Sequence, residues 1–288
     1  MTIDTISSPT AHLKARVVWV TGASSGLGEQ LAIQAAAGAP KLLIISGRNE
    51  DALRRVAEAC AAAASPAATD SRVLVVPFDV SDAGARERAA KEVLEAAGGA
   101  VDVLVNCAGV SVRAAVESTS MEVDRMLMET NFYSAVDLTK AVLPGMVNQK
   151  SGSIIAINSV QGKLGLAYRA GYSASKHALS GYCDALRAEV APHGVRVLSA
   201  CPGYVRTALC LNALRGDGSR HARMDASTAA GADPADVAAS IWRGDAEGRG
   251  ELVLAPLYVR VACVLRALAP WVVFRAAARR AEREAADL

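Results

Sequence analysis

The apolar runs of this chain are hydrophobic at nearly every position rather than at every second one, and that narrows the folds open to it. Arg16–Thr21, Lys41–Ser46, Arg72–Val76, Val101–Val105, Ser153–Ile157, Val195–Ala200 and Glu251–Leu254 read this way. A strand apolar on both sides must be covered on both faces, as in a parallel sheet held between helical layers. Alanine-rich stretches near 26–38, 50–64, 82–97, 120–148, 172–192 and 234–246 separate the runs and are long enough to be crossover helices. The alternation predicts one α/β domain over 16–255, a doubly wound, seven-stranded parallel sheet in three α/β/α layers with right-handed crossovers.

Other segments fall outside that rhythm. Residues 1–15 are polar and predict a flexible leading segment, and 61–66 reads as a helix end and loop. Residues 206–233 carry Gly216, Gly218, Gly231 and several charges, which predicts a mobile excursion suited to a substrate lid. Residues 256–288 form an apolar tail punctuated by arginine, expected to be helical.

Bulk properties exclude several functions. A net charge of +2 and 4% aromatic residues give no basic, base-stacking surface, so no nucleic-acid partner is expected. The six cysteines are scattered without a C-x-x-C pair or a histidine at zinc-ligand spacing, so no metal is expected and a reducing compartment fits. His12, His177, His193 and His221 are far apart and read as surface or packing residues. The leading residues lack the apolar core of a signal peptide. The expected location is intracellular, cytoplasmic or peripheral on an organelle membrane, and not secreted.

The first strand runs into Thr21-Gly22-Ala23-Ser24-Ser25-Gly26-Leu27-Gly28, which opens a helix. Glycines there let backbone approach a pyrophosphate whose charge the helix N-terminus stabilises, so the fold predicted is of the Rossmann type. The expected cofactor contacts in this turn are Gly22, Ser24, Ser25, Gly26, Leu27 and Gly28. At the end of the second strand, glycine stands where an acid would accept a ribose hydroxyl, and Arg48 follows. A guanidinium suits a 2′-phosphate, so the expected cofactor is NADP(H). Further strand ends place Asp79 and Val80, then Asn106, Ala108 and Gly109, then Pro202, Gly203, Val205 and Thr207 along the same crevice.

Tyr172 and Lys176 are one helical turn apart, so phenol and ammonium share a face. A neighbouring cation predicts a phenol pKa lowered from about 10 toward working pH, which makes Tyr172 a usable general acid or base. Ser159 ends the fifth strand, where its hydroxyl could orient a substrate oxygen. Asn131 lies inside a long helical stretch, where asparagine is a poor former; it is either a buried kink that holds a water or an exposed polar residue.

In order along the chain, TGASSGLG, Asp79, NCAG, Asn131, Ser159, YSASK and PGYVRT resemble the short-chain dehydrogenase/reductase family over roughly residues 15–255. Cys107 stands where the family often has a second asparagine. The resemblance implies a tetrad: Tyr172 donates the proton, Lys176 binds the nicotinamide ribose and tunes Tyr172, Ser159 positions the carbonyl, and Asn131 holds a relay water. It also implies a homo-oligomer built on the 120–148 and 172–192 helices.

Further runs, METN (128–131), SVQGK (159–163), DGSR (217–220) and LAPW (268–271), are similar to a branch of the family made of NADPH-dependent reductases of lipid-like ketones. That likeness implies acyl-dihydroxyacetone phosphate as one candidate substrate. Arg215, Arg220, His221 and Arg223 either attract an anionic head group from the lid or belong to a solvated loop. The tail, interrupted by Arg260, Arg266 and Arg275 and punctuated by Pro256 and Pro270, is wrong for a spanning helix. Two short helices meeting near Pro270 would lie at a membrane interface or pack on the domain or a partner subunit. A steroid, retinoid or small-alcohol dehydrogenase, and a non-catalytic NADP(H)-sensing module, stay open as alternatives.

Overall fold

A computed structural model describes residues 8–64 and 71–284 of the chain. Seven strands form one parallel sheet: β1 Val17–Thr21, β2 Leu42–Gly47, β3 Arg72–Pro77, β4 Val103–Asn106, β5 Gly152–Ile157, β6 Val195–Pro202 and β7 Glu251–Leu254. Their order is β3-β2-β1-β4-β5-β6-β7. The helices are α1 Gly26–Ala37, α2 Glu50–Ala63, α3 Ala83–Ala96, α4 Met121–Met128, α5 Ser134–Asn148, α6 Ala170–Val190, α7 Ala226–Ala229, α8 Pro234–Ala246, α9 Leu257–Leu268 and α10 Pro270–Glu284.

The five inner strands are covered on both faces, as their composition requires, while the edge strands β3 and β7 are only partly buried. On one face Val18, Val20, Val103 and Val105 meet Leu31 of α1, Leu53 of α2 and Trp242 of α8. On the other, Trp19, Ile44 and Leu104 meet Val93 of α3, Leu138 of α5 and Leu186 of α6. The predicted helix over 120–148 is one path interrupted by a π turn, Glu129–Tyr133, between α4 and α5.

Two expectations need correction. Residues 8–15 are not a loose leader: Leu13 is fully buried in the core, and His12 Nε2 lies 2.9 Å from the buried carboxylate of Asp245. Residues 1–7, 65–70 and 285–288 lie outside the described residues, so the expected loop at 65–66 does too. The excursion over 206–233 is tied down by backbone bonds. Leu214 N–H donates to Ser111 O at 2.8 Å, and Arg113 N–H donates to Leu214 O at 2.8 Å. Val205 bridges Ala232.

Arg86, only 4% exposed, clamps the helical layer beneath the site. It donates to Val80 O at 2.7 Å and to Asp137 Oδ2 at 2.6 and 2.9 Å, and it lies 2.7 Å from Glu129 Oε1 at the start of the π turn. Both carboxylates are partly solvated, so losing the guanidinium costs less than breaking a fully buried pair. Arg86→Met is expected to lower unfolding stability by about 2–4 kcal/mol, read as a lower urea midpoint at unchanged slope. An unchanged midpoint would show that Arg86 does not clamp this layer.

Candidate active site

The sheet order reverses between β2-β1 and β4-β5, and a cleft of about 350 Å³ opens at the carboxyl ends of these strands. Such a switch point is where an open α/β sheet leaves room for a ligand. The glycine turn forms one wall. Gly22 has φ +67°, and a Cβ there would stand 2.7 Å from Ala108 N, where the exits of β1 and β4 pass each other. A Cβ on Gly28 would collide with Gly22 O, so helix and turn pack only without it. Ser25 caps α1 without a side-chain hydrogen bond. The first amides of α1 therefore stay available to an anion. Ser24, Ser25, Gly26 and Leu27 line the cleft here, and Thr207 closes over Gly26 from the opposite wall.

The far end is set by β2 and β3. Gly47 and Arg48 line the cleft; the Arg48 side chain is 72% exposed, with Nη1 3.9 Å from Asp79 Oδ2. Asp79 Oδ1 accepts from the backbone N–H and the hydroxyl of Ser81, at 2.9 and 2.8 Å. Val80, Ala108, Gly109, Pro202, Gly203 and Val205 also line the cleft. Asn106 does not. Its side chain turns to α5 and donates to Thr139 Oγ1 at 3.2 Å, and Cys107 takes its place on the wall.

At the other end, Ser159 follows β5 and Tyr172 and Lys176 project from α6 into the same cleft. The Lys176 ammonium donates to Ile157 O at 2.9 Å and lies 5.8 Å from the centre of the Tyr172 ring. Burial pushes Lys176 down to about 8. The direction expected for Tyr172 is overturned: burial raises the phenol, while the nearby Ser159 hydroxyl and Arg113 guanidinium act the other way. Desolvation of a phenolate outweighs these neighbours because Tyr172 sits among Val112, Ala114, Leu127 and Leu214. Ser159 Oγ accepts from Gln161 N–H at 3.1 Å, and Asn158 Oδ1 accepts from Ser159 N–H at 2.9 Å. That leaves the Ser159 hydroxyl proton free to donate into the cleft.

Asn131 is buried in the π turn, and its side chain is committed to the protein. Its Oδ1 accepts from Val110 N–H at 2.8 Å, and its Nδ2 donates to Val110 O and Ser175 Oγ at 2.9 and 3.0 Å. The carboxamide thus ties the strand exit after β4 to α6, immediately beside Lys176.

Several wall residues carry no sequence signal. Arg113 lies on the wall with Nε and Nη2 2.9 and 2.5 Å from Asp225 Oδ2 of the 206–233 excursion. Val110, Met126, Leu209 and Leu214 give the end near Tyr172 an apolar lining. Of Arg215, Arg220, His221 and Arg223, Arg220 alone lines the cleft; His221 is buried 3.7 Å from Asp225 Oδ1.

A family model described as short chain dehydrogenase matches residues 16–216. The chain is 43% identical over 275 residues to dehydrogenase/reductase SDR family member 7B of Bos taurus, covering 95% of this chain and 84% of that one. Among solved structures, a Beutenbergia cavernae protein with bound NADP at low occupancy is 30% identical, with a TM-score of 0.71, over 85% of this chain and 96% of that one. A short chain dehydrogenase/reductase of Burkholderia phymatum, in complex with NAD, has a TM-score of 0.77 at 24% identity, over 90% and 95% of the two chains.

Proposed function

Because this chain belongs to the short-chain dehydrogenase/reductase family, we propose that it is an NADP(H)-dependent reductase of a hydrophobic ketone. The observation that carries the reading is one cleft with Arg48 at one end and Ser159, Tyr172 and Lys176 at the other. The glycine cradle and the open N-terminus of α1 fit a dinucleotide pyrophosphate. Arg48, projecting beside Gly47 with no acid in that position, favours a 2′-phosphate over a free ribose diol. When bound, the nicotinamide supplies or accepts the hydride.

The protein's share is orientation and one proton. The Ser159 hydroxyl donates toward the substrate carbonyl oxygen, and Tyr172 Oη delivers the proton to that oxygen as charge develops. Lys176, fixed by Ile157 O, holds positive charge beside the phenol and ribose side of the cleft. A phenol whose pKa is raised by burial stays protonated at neutral pH, which suits the reduction direction. The apolar lining near Tyr172, with exposed Arg220 at its edge, supports an amphiphilic, anionic substrate such as acyl-dihydroxyacetone phosphate.

The test is NADPH consumption across acyl-dihydroxyacetone phosphate, steroids and simple ketones, repeated with NADH and with Arg48→Ala. Loss of the phosphate contact is expected to raise the KM for NADPH roughly 10–100-fold, while that for NADH moves less than about threefold. Equal changes for both cofactors would sink the NADP(H) assignment. No turnover of any carbonyl would sink the reductase itself.

A further inference from the structure

The described surface exposes fourteen large apolar side chains, and eight of them lie between Leu257 and Phe274. Leu257, Tyr258, Val261, Val264 and Leu268 recur at helical spacing along α9, and Trp271, Val272 and Phe274 continue the surface onto α10. Neither helix contains a buried residue. An apolar surface of this extent on a folded chain marks a place where something else binds.

Charge identifies the occupant. From Leu257 to Glu284 the helices carry six arginines against two glutamates, and Glu284 is already bonded to Arg169 and Arg280 at 2.9 and 2.5 Å. A second copy on a two-fold axis would bring these arginines toward one another, at a repulsive cost. An anionic bilayer surface would neutralise them while the apolar side chains enter the acyl region.

The surface is also fixed to the cleft. Glu284 accepts from Arg169, the residue that caps the N-terminus of the catalytic helix α6. Arg280 donates to the Tyr204 hydroxyl at 2.6 Å, and Tyr204 lines the cleft. Tyr168 Oη donates to Ala281 O at 3.4 Å. We propose that α9 and α10 form a docking platform for an anionic lipid bilayer, latched to the cleft rim so that an apolar substrate passes from the membrane into the site. The purpose of the platform rests on the reading of the cleft above; its binding to lipid does not.

Trp271 makes the test direct. It is 59% exposed, whereas Trp19 and Trp242, the other two tryptophans, are fully buried. The full-length chain is mixed with phosphatidylcholine vesicles, with and without phosphatidylglycerol, and followed by tryptophan emission and co-sedimentation. The expected result is a blue shift and pelleting that depend on phosphatidylglycerol. Neutralising Arg260, Arg266 and Arg275 together to Gln should weaken partitioning roughly 100-fold, at roughly fivefold per arginine. Leu268→Glu combined with Phe274→Glu should abolish it at an unchanged urea midpoint, which shows that the variant folds. Absence of binding, equal binding to pure phosphatidylcholine, or concentration-dependent self-association lost in the double-glutamate variant would each overturn the proposal. These readouts involve no turnover, so failure here is distinct from failure of the reductase reading.

Discussion

Tyr172→Phe is expected to reduce turnover by about 10³-fold or more, because no other group on the cleft wall can deliver a proton where the phenol stands. The candidates that could stand in are poor ones. Lys176 is committed to Ile157 O, and Ser159, as an aliphatic alcohol, is far too weak an acid at neutral pH. The substitution keeps the ring that packs with Val112, Ala114, Leu127 and Leu214, and it removes only a buried hydroxyl. Cofactor affinity, followed by NADPH fluorescence, should therefore stay within about threefold of the parent, since phosphate contacts carry most of it. Steady-state rates above about a tenth of the parent value would break the mechanism.

The raised phenol gives the same residue a pH signature. In the proposed reduction Tyr172 is the acid and must begin protonated, which burial favours at neutral pH. In alcohol oxidation it must begin as phenolate, the form that burial disfavours. The forward and reverse reactions therefore demand opposite protonation states of one group.

What could be read from the residues follows how local the determining physics is. The strands were legible because burial on both faces writes an uninterrupted apolar run. Tyr172 and Lys176 were legible because one helical turn fixes their relation whatever surrounds them. Asn106 misleads for a reason of period two: it shares the face of Leu104, so its side chain turns to α5 although its neighbour Cys107 reaches the cleft. The direction of the Tyr172 shift misleads because a nearby charge is visible in a sequence and desolvation is not. Arg113 and Asp225 lie 112 residues apart, and the backbone pairing of Leu214 with the Ser111–Arg113 loop helps bring the 206–233 excursion to this wall. Pro270 announced the break between α9 and α10, but nothing local to Glu284 announces Arg169 as its partner.

Lys176→Met separates what the site costs the fold from what it gives the reaction. Burial holds the Lys176 ammonium near 8 in the folded chain, against about 10.4 when unfolded. A lowered lysine pKa means that folding disfavours the proton. Below about pH 8 both states are charged and the full cost of burying the charge is present. As pH rises from about 8 toward 10.4, the folded chain sheds a proton that the unfolded chain retains, so this group's contribution to stability rises with pH. The variant lacks that titration. Methionine fills a similar volume but leaves Ile157 O without its donor, which offsets part of the gain at pH 7 by about 1 kcal/mol. The difference between the two proteins is thus the clean quantity. From pH 7 to about 9.5, short of the range where Tyr172 itself titrates when unfolded, the stability of the parent relative to Lys176→Met should rise by about 1–2 kcal/mol. Urea melts at several pH values measure it, and parallel curves would show that Lys176 is not desolvated as its position implies. The same variant should lose about 10²–10³-fold in turnover, if the charge that is expensive to the fold is the one that serves the proposed proton donor. A single buried ammonium then accounts for both numbers, and their joint appearance is what distinguishes a functional cation from a merely tolerated one.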